Sequence, residues 1–190
     1  MSMSKTLLLI ITGPSCTGKT TLAQKIGERF ELPVISRDDI KESLFDSLGV
    51  KDREWSKSIG AASFGILYKM IHILLKARKS FIIETPLNPE YDGRKFLELK
   101  QEYDFEVIQV MCKAEGNILF ERFKKRSESG DRHPGHVDER NYDEFKEVLL
   151  KGYQEPLDIG GKVFEIDTTD YSTLNHESVF DLIETATNDT

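Results

Sequence analysis

The sequence predicts an α/β fold, a three-layer α/β/α sandwich around a five-stranded parallel sheet. Three observations predict it. Short apolar runs alternate with stretches of helical periodicity along the chain, an order that covers both faces of a parallel sheet with helices. The runs are continuous in polarity, as in strands buried on both faces. The first run ends in a glycine-rich turn, and an amphipathic stretch follows it.

Taken in order, "KTLLLIIT" (5–12) is the first strand. Residues 20–30 read as a helix with Leu22, Ala23, Ile26 and Phe30 on one face. "PVIS" is the second strand, and Ser36 starts a helix carrying Ile40, Leu44 and Phe45. A long helix spans about 54–78, with Ile59, Ala62, Ser63, Ile66, Leu67, Met70, Ile71 and Leu74 at helical spacing. "SFIIE" is the third strand. Asn88 before Pro89 caps and opens a helix that runs to about residue 102. "FEVIQVMC" is the fourth strand, and helices follow over 117–126 and 140–153. "KVFEID" is the fifth strand, and a last helix carries Val179, Phe180, Leu182 and Ile183. "SESGDRHPGHV" (127–137) interrupts the order. It is polar, holds Gly130, Pro134 and Gly135, and reads as a mobile loop.

The 190 residues suit one domain, read as 1–190, and 38% hydrophobic residues suffice for a core. The net charge of −7 argues against broad adhesion to nucleic acid or an anionic membrane, though a local basic groove stays compatible with it. Cys16 and Cys112 have no paired spacing, which suits a reducing, cytoplasmic setting. The run at 7–11 is too short for a secretory signal, and no stretch reads as a membrane span.

Residues 13–20, "GPSCTGKT", match G-x-x-x-x-G-K-[ST] in full, with a buried strand before and a helix after. Gly13, Pro14, Ser15, Cys16, Thr17, Gly18, Lys19, Thr20 and Thr21 are therefore the predicted nucleotide-binding loop. The glycines let successive N–H groups turn inward to phosphate oxygens, and the helix N-terminus adds partial positive charge. Lys19 reaches the β- and γ-phosphates, and the Thr20 hydroxyl can ligate Mg²⁺. A chance match is disfavoured by the correct flanks. Cys16 inside the loop is either a redox-sensitive thiol or a tolerated variable position.

A guanine-reading "NKxD" or "TKxD" is absent, which weighs against a GTPase. The discriminating stretch is "ISRDDIKESLFD" (35–46). Ser36 and Asp39 have capping-box spacing, which ties Asp39 to the helix start. Asp38 then points about 100° away, toward the crevice at the carboxyl ends of the strands. A carboxylate there can accept a hydroxyl proton during phosphoryl transfer. Lys41 shares its face and can hold an anionic acceptor. The alternative is that both aspartates only favour the helix N-terminus.

"GPSCTGKT", "SRDD" and "FIIETPLNPE" together resemble the P-loop kinase family that includes phage polynucleotide 5′-kinase, zeta toxins, chloramphenicol phosphotransferase and AAA-type ATP-binding kinases. The resemblance implies a P-loop NTPase fold with a lid at about 122–137, ATP and Mg²⁺ as cofactors, and Asp38 as general base. Lys41 stands where the polynucleotide kinase has arginine, so the acceptor is not carried over with it. Such kinases close a lid whose arginines reach the phosphates and exclude water. By resemblance Arg126 comes first, then Arg122 and Arg132. The alternative for these residues is a solvated basic helix face.

Glu84 ends the third strand, where it can orient a Mg²⁺-bound water or serve structure alone. Thr168 and Thr169 follow the fifth strand, near the adenine in this fold. His133 and His136 flank "PG" in the polar loop without metal-ligand spacing. Trp55 lines an acceptor pocket or packs the core. The expected protein is an ATP- and Mg²⁺-dependent kinase for a hydroxyl-bearing small molecule. A regulatory ATPase without an acceptor and a polynucleotide 5′-hydroxyl kinase are the alternatives, the second disfavoured by the charge.

Overall fold

The computed structural model describes residues 5–130, 132–136 and 142–188. Strand β1 (Thr6–Thr12) is followed by α1 (Lys19–Phe30), β2 (Val34–Ser36), α2 (Arg37–Leu48) and α3 (Arg53–Lys76). Then come β3 (Phe81–Glu84), α4 (Pro89–Glu102), β4 (Phe105–Lys113) and α5 (Gly116–Glu128). A 3₁₀ turn (Pro134–His136), α6 (Tyr142–Lys151), β5 (Lys162–Asp167), a second 3₁₀ turn (Tyr171–Thr173) and α7 (His176–Asn188) complete the order. Of the predicted lid arginines, Arg122 and Arg126 lie on α5 and Arg132 lies beyond it; residues 131 and 137 of the lid lie outside the described residues, as do 140 and 141 of the predicted sixth helix.

The five strands pair in parallel in the order β2-β3-β1-β4-β5. This is the predicted α/β sandwich. Successive residues of β1 feed opposite faces. Leu8 and Ile10 enter a core with Leu67, Ile71, Phe81 and Phe96, and Leu9 and Ile11 enter one with Leu22, Ile26, Phe180 and Ile183. The chain therefore leaves β1 toward the α1/α7 face and leaves β3 toward the α3/α4 face. Divergence of adjacent strand ends opens a crevice at their carboxyl termini.

Asn88 accepts a hydrogen bond from Tyr91 N at 2.9 Å with Pro89 in the first turn, the predicted cap. Four expectations are corrected. Ser36 precedes α2 but makes no side-chain cap, because its hydroxyl is drawn to the buried Glu84 carboxylate on the neighbouring strand. On α3, Ile59, Ser63, Leu67 and Ile71 are buried, whereas Ala62 and Ile66 are exposed. On α7, Leu182 is 42% exposed, because it lies about 200° around the helix from the buried Phe180. Helix α3, with 24 residues, is also long and apolar enough by length and composition to cross a membrane, contrary to the sequence expectation. Here Leu67, Ile71 and Leu75 pack that helix on the sheet.

Candidate functional site

The loop after β1 owes its path to two glycines. Gly13 has φ of 137°, and a Cβ there would lie 2.1 Å from the Cys112 carbonyl oxygen on β4. Gly18 caps α1 in the left-handed region (φ 79°), and a Cβ would meet the Tyr171 ring at 2.5 Å. Cys16 also takes a positive φ, 67°, and packs against the Ala114/Phe123 cluster. Burial pushes the Cys112 thiol up to about 12, so it is inert at neutral pH.

Ser15, Cys16, Gly18, Lys19, Thr20 and Thr21 line a cleft of about 510 Å³. Gly13, Pro14 and Thr17 build the loop behind it. The Thr17 hydroxyl donates to the Pro14 carbonyl at 2.9 Å, and the Lys19 ammonium donates to the same oxygen at 2.7 Å. Lys19 thus rests on its own loop, buried, at the start of α1.

The far side of the cleft comes from β2, β3 and α2. Glu84 pairs in register with Ser36 and with Ile11, so it sits between the first two turns of the site. Its Oε2 accepts from Ser36 Oγ at 2.9 Å and from Thr20 Oγ1 at 3.3 Å. The carboxylate is 5% exposed, and among the described residues its hydroxyl partners bring no positive charge. A buried carboxylate whose partners among the described residues are both hydroxyls has capacity for a cation. Oxygen donors from Thr20 and Glu84 fit a hard ion such as Mg²⁺, whereas both Asp38 oxygens are taken by arginines.

Asp38 opens α2 and faces the same cleft. Arg37 donates to its Oδ1 at 2.8 Å and Arg132 to its Oδ2 at 2.9 Å. Burial alone would raise the carboxyl, but the charges of Arg132 and Arg37 outweigh it and hold Asp38 well below the usual carboxylate range. Asp39 goes the other way, raised by burial and by the Glu42 and Asp38 charges.

Arg122, Arg126 and Arg132 all line the cleft. Arg122 donates to the Thr168 and Thr169 carbonyls at 3.0 and 2.8 Å, so it also fixes the loop after β5. Arg126 lies with its guanidinium 5.9 Å from the Phe123 ring centre. Arg132 reaches in from the turn at Pro134–His136, which seats on α2. His133 stacks on Phe45 at 5.5 Å, and Gly135 packs so closely on that ring that a Cβ would lie 2.3 Å from it.

Thr168, Lys41 and Trp55 are among the predicted residues that lie apart from the cleft, and so is Thr169, whose hydroxyl accepts from Glu115 N at 3.0 Å. Thr168 is fully buried and donates its hydroxyl to the Lys113 carbonyl, which turns its side chain away from any base. Lys41 bends toward α3 and donates to Ser56 Oγ at 3.1 Å. Burial, reinforced by the Arg37 charge, lowers it to about 8 against the pull of Asp38. Trp55 ties its indole N–H to the Gly49 carbonyl at 2.9 Å and so braces the α2–α3 link. Sequence reasoning missed Arg37, Ser36 as a partner of Glu84, and Glu42. Adjacency of Arg37 to Asp38 was a usable signal. Glu42 carried one too, four residues beyond Asp38 on the same helix face.

A family model described as an AAA domain matches residues 8–151. A solved structure of a candidate kinase from Chloroflexus aurantiacus j-10-fl is 34% identical, with 97% of this chain and 99% of that chain covered and a TM-score of 0.89. A sugar kinase from Janibacter sp. HTCC2649 shares the fold at 13% identity and a TM-score of 0.56, over 97% of this chain and 95% of that one. Shikimate kinase from Acinetobacter baumannii shares it at 15% identity and a TM-score of 0.50, over 95% and 93%. A tRNA dimethylallyltransferase of Onion yellows phytoplasma (strain OY-M) is 32% identical over 112 residues, 53% of this chain. The match spans 36% of that relative's length.

Proposed function

The chain belongs to the AAA domain family, matched over residues 8–151, and from that membership we propose that it is an ATP- and Mg²⁺-dependent kinase that phosphorylates a hydroxyl on a small molecule. One observation carries the reading. A phosphate loop with Lys19 and Thr20, a carboxylate at Asp38 and three arginines face one cleft. A switch that only holds nucleotide needs no acceptor-side wall opposite the phosphates.

In this reading the backbone N–H groups of the loop and Lys19 bind the phosphates. Thr20 and Glu84 hold Mg²⁺, which when bound neutralises phosphate charge. Asp38 orients the acceptor hydroxyl and takes its proton. Arg122 and Arg126 stabilise charge on the transferred group, and Arg132 stands beside Asp38 on the acceptor side. Closure of the turn over α2 excludes water, so that the hydroxyl outcompetes hydrolysis.

The test is transfer from γ-labelled ATP to a pooled panel of sugars, nucleosides, coenzyme precursors and 5′-hydroxyl oligonucleotides. Asp38→Asn is expected to keep ATP affinity and to lose transfer by about 10²–10⁴-fold. Normal transfer by that variant would sink the base assignment.

A second reading has one observation behind it, the 112-residue likeness to a tRNA dimethylallyltransferase. A phosphate-binding loop alone serves both reactions, and the net charge of −7 weighs against a tRNA substrate. Labelled dimethylallyl transfer to tRNA, assayed beside the kinase panel, separates the two.

A further inference from the structure

Asp38 and Glu42 lie four residues apart on α2 and share a face. Arg132 spans them. Its Nη2 donates to Asp38 Oδ2 at 2.9 Å, and its Nη1 lies 3.6 Å from Glu42 Oε1. The first contact is a charge-assisted hydrogen bond, and the second is an ion pair beyond hydrogen-bond length. Arg37 holds the other oxygen of Asp38 at 2.8 Å. Both oxygens of the proposed base therefore already accept from guanidinium groups. A carboxylate held so tightly is a poor acceptor for a hydroxyl proton.

His136 makes the second seat definite. Arg132 Nη2 lies 3.0 Å from His136 Nδ1, and His136 Nε2 lies 2.8 Å from Glu42 Oε1. A guanidinium can only donate, so Nδ1 is the acceptor and Nε2 carries the proton that Glu42 accepts. This is the neutral tautomer. Burial, assisted by the Arg132 charge, lowers His136 and keeps it neutral despite the Glu42 bond. That bond in turn holds Glu42 below its ordinary value. The imidazole therefore tethers the guanidinium and Glu42 together at one end of the turn.

We propose that Arg132 is a two-seat latch on the base: it masks Asp38 at rest and shifts toward Glu42 to expose it, with Glu42 and His136 as positioning residues. The guanidinium already contacts both seats, so the shift is short, within the swing of an arginine side chain, and does not require the turn to leave α2. An acceptor hydroxyl arriving at Asp38 displaces the guanidinium, and Glu42 receives it. Without an acceptor the base stays covered and water gains nothing from it. The proposal rests on the kinase reading for its purpose, but the masking itself is a property of the resting protein.

Two measurements test it. Carboxyl ¹³C NMR follows Asp38 titration in the wild type and in Arg132→Gln, with Asp38→Asn identifying the signal. Asp38 is expected to titrate at distinctly higher pH in Arg132→Gln, and identical titration in the two proteins overturns masking. Steady-state transfer to the acceptor panel then compares Glu42→Gln with Glu42→Gln/Arg132→Gln. Loss of the second seat drives the guanidinium toward Asp38, so Glu42→Gln is expected to lower kcat about tenfold at unchanged KM for ATP. The double variant is expected to regain part of that loss, a sign reversal that a merely structural Glu42 would not give. A double variant no better than Glu42→Gln overturns the second seat. Should no panel member accept phosphate from any variant, the kinase reading falls, and the NMR titration alone decides the latch.

Discussion

Lys41 is buried with a hydroxyl as its hydrogen-bond partner, and its charge is disfavoured by burial and by Arg37. Its value near 8 in the folded chain lies below the 10.5 of an unconstrained lysine. Between those two pH values the unfolded chain holds a proton that the folded chain has released. Stability must then rise with pH across that window, by up to about 3 kcal/mol if the whole difference is expressed. Denaturant unfolding from pH 8 to 10.5 is expected to show this rise in the wild type and to lack that component in Lys41→Met. A wild-type curve that parallels the variant would contradict it. Asp38 behaves in the opposite sense. Its depressed carboxyl stabilises the fold above the ordinary aspartate range, and that contribution fades as pH falls toward its folded value. Arg132→Gln is expected to reduce the acid-side loss, because it removes the larger of the two stabilising charges.

Close backbone approaches hold the elements around the site alongside the long side chains of Arg122 and Arg132. The turn at Pro134–His136 docks because Gly135 leaves room for the fully packed Phe45 ring of α2. Gly135→Ala would place a Cβ 2.3–2.5 Å from three ring atoms, and Phe45, at 1% exposure, has nowhere to move. The turn is therefore expected to lift. Global stability should change by less than about 1 kcal/mol, since the turn is peripheral to both main cores. Trypsin should cut faster at Arg132 in the variant, and transfer should fall. Unchanged cleavage with unchanged transfer would show that the turn does not close the site. The loop after β1 follows the same logic, with Gly13 against the β4 backbone, where a side chain would push the whole phosphate loop off the sheet.

At the scale of the whole molecule, the parts that were legible in the sequence are the parts encoded locally. The phosphate loop, the Asn88 cap and the strand–helix alternation each rest on residues a few positions apart. The latch was not legible, because Arg132 and His136 meet Asp38 and Glu42 across 94 residues of chain. The exposed side of α3 was misread for a related reason, since periodicity gives a stripe but packing chooses its centre. The sheet order that brings β3 beside β1 puts Glu84 next to Thr20, and this join predicts how ligand and fold are coupled. A nucleotide with Mg²⁺ would bridge α1, β3 and the α5 arginines at the cleft. Binding to the folded chain alone stabilises by about 2.7 kcal/mol at a hundredfold excess over Kd, or roughly 5–10 °C in Tm for a chain of this size. ATP with Mg²⁺ is expected to raise Tm by that amount in the wild type and not in Lys19→Ala. Glu84→Gln separates the metal from the phosphates: it should keep a smaller, Mg²⁺-independent shift. If Glu84→Gln responds to ATP and Mg²⁺ as the wild type does, the carboxylate belongs to the Ser36–Thr20 hydrogen-bond network alone and not to the metal.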